Sequence, residues 1–173
     1  MNMMNTLTRA GIFCALFSSA GAMALETSIT VNADVDPSYG VLMADGNPLP
    51  ENILMSYNPA NGLLPWKKYV KFYTNVNKAN INVRLQDDAV ITEPVSSSKI
   101  ALAVLLNGQT LSTTDTAFSF DTLFPKGVGT GTALPLTIQQ DKSKTPIANV
   151  NVAGRYSGVV TLVVTKGTVP SDS

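Results

Sequence analysis

Strict alternation of apolar and polar residues is the sequence feature that most limits what this chain can fold into. It is clearest in residues 29–35, which follow a segment with the pattern of a secretion signal and end at an Asp36-Pro37 step. The apolar face of this segment consists of Ile29, Val31, Ala33 and Val35. Successive side chains of a β-strand point to opposite faces, so this period predicts a half-buried strand. A strand so close to the N-terminus of a secreted chain is well placed to leave its own domain and complete the sheet of a neighbour.

The first 24 residues have the pattern of a cleaved signal peptide. Arg9 supplies a positive n-region, residues 10–17 an apolar h-region, and Ala22-Met23-Ala24 the small residues that a signal peptidase reads. The apolar run is far shorter than the roughly 20 residues that span a bilayer, so we expect no membrane insertion after cleavage. Leu25 is then the first mature residue, and Cys14 is removed with the signal.

The predicted mature chain must be stabilised without disulfides, because Cys14 is the only cysteine in the sequence. Its 149 residues are enough for one core held by packing and strand pairing. Removal of Arg9 leaves 11 basic and 12 acidic residues, a balance that gives no reason to expect nucleic-acid binding. Charged residues make up 14% of the chain, below the usual value of about 25%. Such a surface suits burial against other proteins, although a polar, uncharged surface explains the composition equally well.

The rest of the mature region also has the pattern of strands separated by turns. We predict strands at residues 41–44, 53–57, 68–76, 80–85, 100–106, 134–140 and 155–165. Asn107-Gly108 favours a type I′ turn, with residues 109–112 returning as a hairpin. No window has a convincing helical period, and residues 115–133 have the composition of a long loop with a short extended piece at 117–120.

The period also predicts which side chains face the core. In two of the strands these are Val70, Phe72, Thr74, Ile81, Val83 and Leu85, and in the last strand Tyr156, Val160, Leu162 and Val164, with Gly158 between them. Pro135 suits an edge strand or the start of a strand, since proline cannot donate to a ladder. Seven or so short strands predict an all-β sandwich of immunoglobulin-like type in a single domain.

The search for catalytic or metal-binding chemistry finds no strong motif. The chain has no histidine, which removes imidazole bases and histidine metal ligands. Asp87 and Asp88 have the pattern of a solvated turn, and Asp34 with Asp36 supplies fewer oxygens than a calcium site needs. The glycine-rich residues 127–131 lack the Gly-Lys-Ser/Thr ending of a phosphate loop. We therefore expect neither enzymatic activity nor a bound cofactor.

A basic and aromatic cluster is the strongest candidate for surface binding. Trp66, Lys67 and Lys68, beside Tyr69 and Lys71, are candidate contacts for an acidic glycan or a protein partner. The alternative is that these lysines only protect an edge strand from aggregation.

Several blocks of the chain together resemble one family. LETSITVNADVDP, LMADGNPLP and SYNPANG, followed by LNGQTLSTT and AGRYSGVVTLVVTKG, are similar to segments of the major pilins of alpha-clade (class 5) chaperone–usher fimbriae. These include the colonization-factor pilins of enterotoxigenic enteric bacteria. The blocks cover both ends of the predicted mature chain and scattered positions between them, whereas residues 90–99 and 114–132 have no clear match.

This resemblance implies an incomplete immunoglobulin-like β-sandwich that a donor strand from a neighbouring subunit completes. It divides the chain into a signal peptide (1–24), a donor-strand extension (25–37), a pilin domain (38–167) and a C-terminal tail (168–173). A periplasmic chaperone fills the open groove first, and at the outer-membrane usher the extension of the next identical subunit replaces it. A tip adhesin subunit is a further expected partner, and the expected location is the cell-surface fimbrium.

The residues take their expected roles from the same resemblance. The donor strand would insert Ile29, Val31, Ala33 and Val35 into the groove of a neighbour, with Pro37 as a stiff hinge. The acceptor groove would be lined by Tyr156, Val160, Leu162 and Val164. The leading hypothesis is therefore a structural shaft subunit that supports adhesion. The alternatives are a self-contained secreted β-sandwich and a receptor- or glycan-binding adhesin subunit.

Overall fold

The computed structural model describes residues 39–169, which form two antiparallel sheets and a small hairpin. The predicted signal peptide, the donor residues Ile29, Val31, Ala33 and Val35, and the hinge Pro37 lie outside these residues, as do residues 170–173. The first six strands are β1 (Tyr39–Met43), β2 (Tyr57–Asn58), β3 (Gly62–Leu63), β4 (Trp66–Thr74), β5 (Ile81–Leu85) and β6 (Val90–Thr92). The other six are β7 (Lys99–Leu106), β8 (Gln109–Leu111), β9 (Thr116–Phe118), β10 (Gly129–Thr130), β11 (Leu134–Gln140) and β12 (Leu162–Lys166).

The strands are arranged as an incomplete immunoglobulin-like sandwich. The larger sheet has the order β1-β4-β11-β7-β6, with β10 beside β4 and β8 beside β7. The smaller sheet has the order β12-β5-β9, and β2 and β3 form a separate hairpin. The core between the sheets is apolar, and its largest fully buried side chains are Val70, Phe72, Ile81, Val83, Val104, Leu106, Leu123 and Phe124.

The period-2 predictions are confirmed where the strands are long. Val70, Phe72 and Thr74 of β4 are buried, as are Ile81, Val83 and Leu85 of β5. Asn107 and Gly108 both have positive φ, 50° and 80°, and join β7 to β8 as a type I′ turn requires. The Asn-Gly step and the alternation therefore determine this part of the fold locally.

Three predicted elements differ from the structure. Of residues 53–57, only Tyr57 lies in a strand. Met55 packs against the core, but Leu54 is 95% exposed and no described ladder pairs with residues 53–56. Residues 121–123, predicted as loop, and Phe120, predicted as the end of an extended piece, form the short helix α1 (Phe120–Leu123). Ser119 caps its N-terminus by accepting a bond from the Thr122 amide. Pro135 lies at the start of an interior strand, since β11 has β4 on one side and β7 on the other, so the edge alternative is wrong.

The last strand is shorter than predicted. It begins at Leu162 rather than at residue 155. The preceding residues have only an isolated bridge between Ser157 and Thr92 and a bond from the Gln86 amide to the Thr161 carbonyl in place of a ladder. The ladder is interrupted because the facing segment of the same chain has extra residues at 87–89, between β5 and β6. Gly158 lies against this interruption, where an added Cβ would come within 2.2 Å of the Val90 carbonyl oxygen.

Candidate functional site

The two sheets are joined on one side of the sandwich and open on the other. On the joined side, the run 81–92 contributes β5 to the small sheet and β6 to the large one, with the chain at 157–166 beside it. On the open side, β1 ends the large sheet and β12 ends the small sheet. These two edges approach within 8 Å between Cα atoms, yet no ladder joins them in the described residues. We call this opening, between Tyr39–Met43 and Leu162–Lys166, the β1–β12 seam.

Within residues 39–169, no strand pairs with the main-chain groups on the β12 side of the seam. Thr161 accepts a bond from the Gln86 amide at 3.0 Å, and Gly167 donates to Asn80 at 2.7 Å. Main-chain groups of successive strand residues point to alternate sides, so the N–H and C=O groups of Leu162 and Val164 point away from β5 and into the seam.

The β1 side of the seam is arranged in the same way. The Ala44 amide donates to the Tyr69 carbonyl at 2.8 Å. Bonded residues alternate along an antiparallel ladder, so the main-chain groups of Leu42 and Gly40 point toward β4. By the same alternation, the main-chain groups of Val41 point into the seam. The edge strands of the two antiparallel sheets therefore face one another across the seam. Their main-chain N–H and C=O groups are oriented to bond one more strand.

Half-buried apolar side chains lie beneath the seam. Val160, Leu162 and Val164 pack against the core without being fully covered, and Val41 and Met43 do the same from β1. The sequence prediction named the residues of the last strand but missed Val41 and Met43. Their period-2 spacing was the available signal, but alternation does not reveal which distant strand lies opposite.

Tyr156 lies apart from the edge of β12. Its hydroxyl donates to the Val152 carbonyl oxygen at 2.9 Å and lies 3.2 Å from Ser98 Oγ, in the connection between β6 and β7. A tyrosine that bonds back to the main chain a few residues upstream, shortly before the last strand, is a known corner of immunoglobulin-like folds. This geometry gives Tyr156 a structural role on the joined side of the sandwich.

The candidate surface cluster does not form one surface. Trp66 packs against the core, whereas Lys67 is exposed and faces outward with Tyr69, which is 52% exposed. Lys68 shares the side of the strand that carries Trp66 and Val70. The edge-protection alternative is also wrong for Lys71, because β4 lies between β1 and β11.

A second concave site lies beside the β2–β3 hairpin. This open cleft of about 510 Å³ is bordered by Leu63, Pro65, Gln140 and Lys142, among others. Gln140, which sequence analysis missed as a buried polar residue, accepts from the Leu63 amide at 3.0 Å and donates to the Thr145 carbonyl at 2.8 Å. Its amide oxygen thus holds the β2–β3 hairpin, and its amide nitrogen holds the segment that follows β11.

The polar motifs noted in the sequence lie apart from one another along the described region. Within residues 39–169, no group of three or more acidic, cysteine or histidine side chains could hold a metal ion. Asp87 and Asp88 are exposed between β5 and β6, and residues 127–131 include the short strand β10. In this same part of the chain, no helix has both the length and the apolar character needed to cross a membrane.

Comparison with known proteins agrees with an open β-sandwich that forms part of a fibre. The profile of the family described as CS1 type fimbrial major subunit matches residues 25–165. A CFA/I fimbrial protein of Escherichia coli is 32% identical over 155 residues, which cover 88% of this chain and 91% of the relative. A CS1 fimbrial protein of Escherichia coli is 30% identical over 158 residues, covering 88% and 92%.

A solved structure agrees with these sequence matches. The CooA pilin subunit from enterotoxigenic Escherichia coli superimposes with a TM-score of 0.67 at 25% identity, over 78% of this chain and 91% of that one. The all-β structure and the incomplete immunoglobulin-like fold of this chain are those of a pilin subunit of the same kind. The chain belongs to the family of CS1-type fimbrial major subunits. It is a structural subunit of a bacterial surface fimbria, and it polymerises into fibres with other subunits.

Proposed function

We propose that subunits are joined by donor-strand exchange at the β1–β12 seam. Residues 25–37 of one subunit would enter the seam of the next, with Ile29, Val31, Ala33 and Val35 facing the core. The observation that carries this proposal is the pair of facing sheet edges, which offer main-chain groups from Val41, Leu162 and Val164 above half-buried apolar side chains. Addition of a strand at an exposed edge is an established mode of peptide recognition.

The energetics favour a strand from another subunit. Burial of Ile29, Val31 and Val35 would contribute about 1.5–3 kcal/mol each, with ladder bonds in addition. A strand inserted between two edges needs about 9.6 Å between them, which is twice the spacing of neighbouring strands. Since β1 and β12 approach within 8 Å, insertion requires the two edges to move apart at their closest point. The contact is head-to-tail and does not close into a ring, so it generates a filament.

The remaining partners follow from the same open seam. A periplasmic chaperone would occupy the seam before assembly, and the outer-membrane usher would be the place of exchange. A tip adhesin subunit would begin the fibre, and Pro37 would act as the hinge between extension and domain. Adhesion to host cells would then be supported by the fibre that carries these subunits.

The test is a charge placed on the inward face of the extension. Val31→Asp buries a carboxylate without a partner in the neighbour's groove, and we expect it to abolish fibre assembly. Asn32→Asp is the matched control, because it adds the same charge one residue away on the outward face and should leave assembly intact. Assembly is measured by electron microscopy and by size-exclusion chromatography of the purified mature chain. Normal fibres from Val31→Asp would refute donor-strand exchange by this segment.

A further inference from the structure

Charge is divided unequally between the extension and the domain. Residues 25–38 contain three carboxylates, Glu26, Asp34 and Asp36, and no basic side chain. The described residues 39–169 contain eleven basic and eight acidic residues. The near-neutral chain therefore consists of an acidic extension and a basic domain.

Lys71 is the basic residue on the outer face beside the β1 edge of the seam. It lies on β4, between the buried Val70 and Phe72, so its side chain is on the outer face of the sheet. Across the ladder it faces Leu42 of β1, and the β1 residue two positions before Leu42 is Gly40. This part of β1 is uncharged, and Gly40 has no side chain. The long side chain of Lys71 can therefore extend across β1 toward the seam.

The β12 margin carries a weaker cation. Arg84 of β5 faces Val163 of β12, so it also lies one strand inward from the seam. Its Nε is 3.6 Å from Asp115 Oδ1, and Asn82 donates to the other oxygen of the same carboxylate at 3.3 Å. Asp115 therefore neutralises part of the Arg84 charge, and the exposed Lys166 at the end of β12 shares the face of Leu162 and Val164 by strand alternation. Lys71 is thus the cation on the outer face beside the β1 edge.

The outward face of the extension would lie over this border. If Val31 and Val35 face the core, then Asp34 faces outward with Thr30 and Asn32. On this basis we infer that Lys71 selects an incoming extension whose outward face is acidic, as the chain's own residues 25–37 are. This inference rests on the proposed function and adds the chemical character of the strand that the seam accepts.

The selection acts on the rate of insertion more than on final affinity. Exposed ion pairs contribute little to stability and are screened by salt. Complementary charge instead guides the encounter and disfavours partners of the wrong sign. We expect removal of the Asp34 and Asp36 carboxylates to slow uptake about three- to tenfold at low ionic strength, and the difference to vanish at high ionic strength.

The experiment measures peptide uptake by an acceptor that cannot donate its own strand. The acceptor is the full mature chain carrying Val31→Asp, and the probes are fluorescent peptides of residues 25–37 followed by anisotropy. The three peptides are wild type, the Asp34→Asn/Asp36→Asn form and the charge-reversed Asp34→Lys/Asp36→Lys form. The acceptor is also made with Lys71→Glu and, as a matched control, with Lys99→Glu. Lys99 is exposed and, by strand alternation beside the buried Ile100, on the same outer face, but three strands from β1 rather than one.

Each outcome bears on a different part of the inference. Support requires that the wild-type peptide enters fastest, that Lys71→Glu reverses the order of the wild-type and lysine peptides, and that Lys99→Glu does not. Equal uptake of all peptides would overturn charge selection and leave donor-strand exchange standing. Equal slowing by Lys99→Glu and Lys71→Glu would overturn the assignment to Lys71 in favour of net charge. Uptake of no peptide at any ionic strength would refute the proposed function itself.

Discussion

The two edges of strand β12 have different surroundings. Toward β5, its main chain is paired from Leu162 to Lys166, and the facing side chains Ile81 and Val83 are 0% exposed. Toward β1, no ladder joins the same strand within residues 39–169, and the side chains of Leu162 and Val164 are only half buried. In the proposed assembly, the paired side holds the domain together and the other side accepts a strand from another subunit. Folding and assembly would then use opposite edges of one strand.

The largest expected effect separates folding from assembly directly. Val83→Asp places an unpaired charge in the closed core, and we expect a loss above about 4 kcal/mol and no folded protein. Val164→Asp places the same charge beside the seam, and we expect a folded domain, about 1–2 kcal/mol less stable, that no longer accepts a donor strand. Both changes are made in the Val31→Asp background, so that assembly does not mask the unfolding measured by circular dichroism in urea. The comparison fails if Val164→Asp takes up the peptide of residues 25–37 at the unchanged rate.

Two glycines on the two sides of the sandwich offer a smaller test. An added Cβ at Gly158 would come within 2.2 Å of the Val90 carbonyl oxygen and force the chain away from β6. We expect Gly158→Ala to lower the free energy of unfolding by about 2–3 kcal/mol.

Gly40 on β1 is the matched control for Gly158. Its added Cβ would meet Tyr73 Cβ at 3.8 Å, an ordinary contact, so Gly40→Ala should be within about 1 kcal/mol of the parent, on the stabilising side. Urea unfolding measures both variants. Equal effects at the two glycines would show that the joined side is no more tightly constrained than the open one.

Substitution of Tyr156 tests whether this residue stabilises the corner or lines the acceptor groove. Tyr156→Phe keeps the ring and removes the hydroxyl bond to Val152, so we expect a loss of about 1 kcal/mol with unchanged peptide uptake. Tyr69→Phe, at an exposed ring, is the control and should change stability by less than about 0.5 kcal/mol. Slower uptake without a change in stability would instead assign Tyr156 to the groove, as the sequence pattern predicted.

Sequence patterns predict this fold well where the information is local. The alternation at Val70, Phe72 and Thr74 identifies the buried face, and Asn107-Gly108 identifies the hairpin, because both signals lie within a few residues. The seam depends on which edges are brought together by pairings distant in sequence, so Val41 and Met43 were missed while Leu162 and Val164 were found. The early start predicted for the last strand was wrong for a related reason. The interruption is caused by residues 87–89 in the facing segment of the same chain. The sequence of the last strand alone therefore does not predict it.

The smallest predicted effect is a pH dependence on the joined side. Glu93 is 7% exposed and accepts bonds from the Ser96 hydroxyl and amide, both at 2.6 Å, and from the Val95 amide at 3.1 Å. These bonds favour the charged carboxylate and lower the pKa of Glu93, the Ser96 hydroxyl bond being the largest cause. A lowered folded pKa gives stability that is present above the ordinary glutamate pKa and is lost as the pH falls through the folded pKa.

The measurement compares the urea midpoints of Glu93→Gln and its parent at each pH. This comparison is needed because Asp45 and Asp141 also have lowered pKa values from their own turn bonds, chiefly to Asn47 and Ser143, respectively. Glu93→Gln should be less stable than its parent at neutral pH, and the gap between their urea midpoints should narrow as the solution is acidified. Glu51→Gln, at an exposed loop residue, is the control and should show no such gap. Acid acts here through the turn between β6 and β7, on the joined side, so at high ionic strength, where charge selection is screened, peptide uptake at the seam should follow the pH dependence of folding. A gap between Glu93→Gln and its parent that stays constant from neutral to acidic pH would mean that the carboxylate charge does not stabilise this turn.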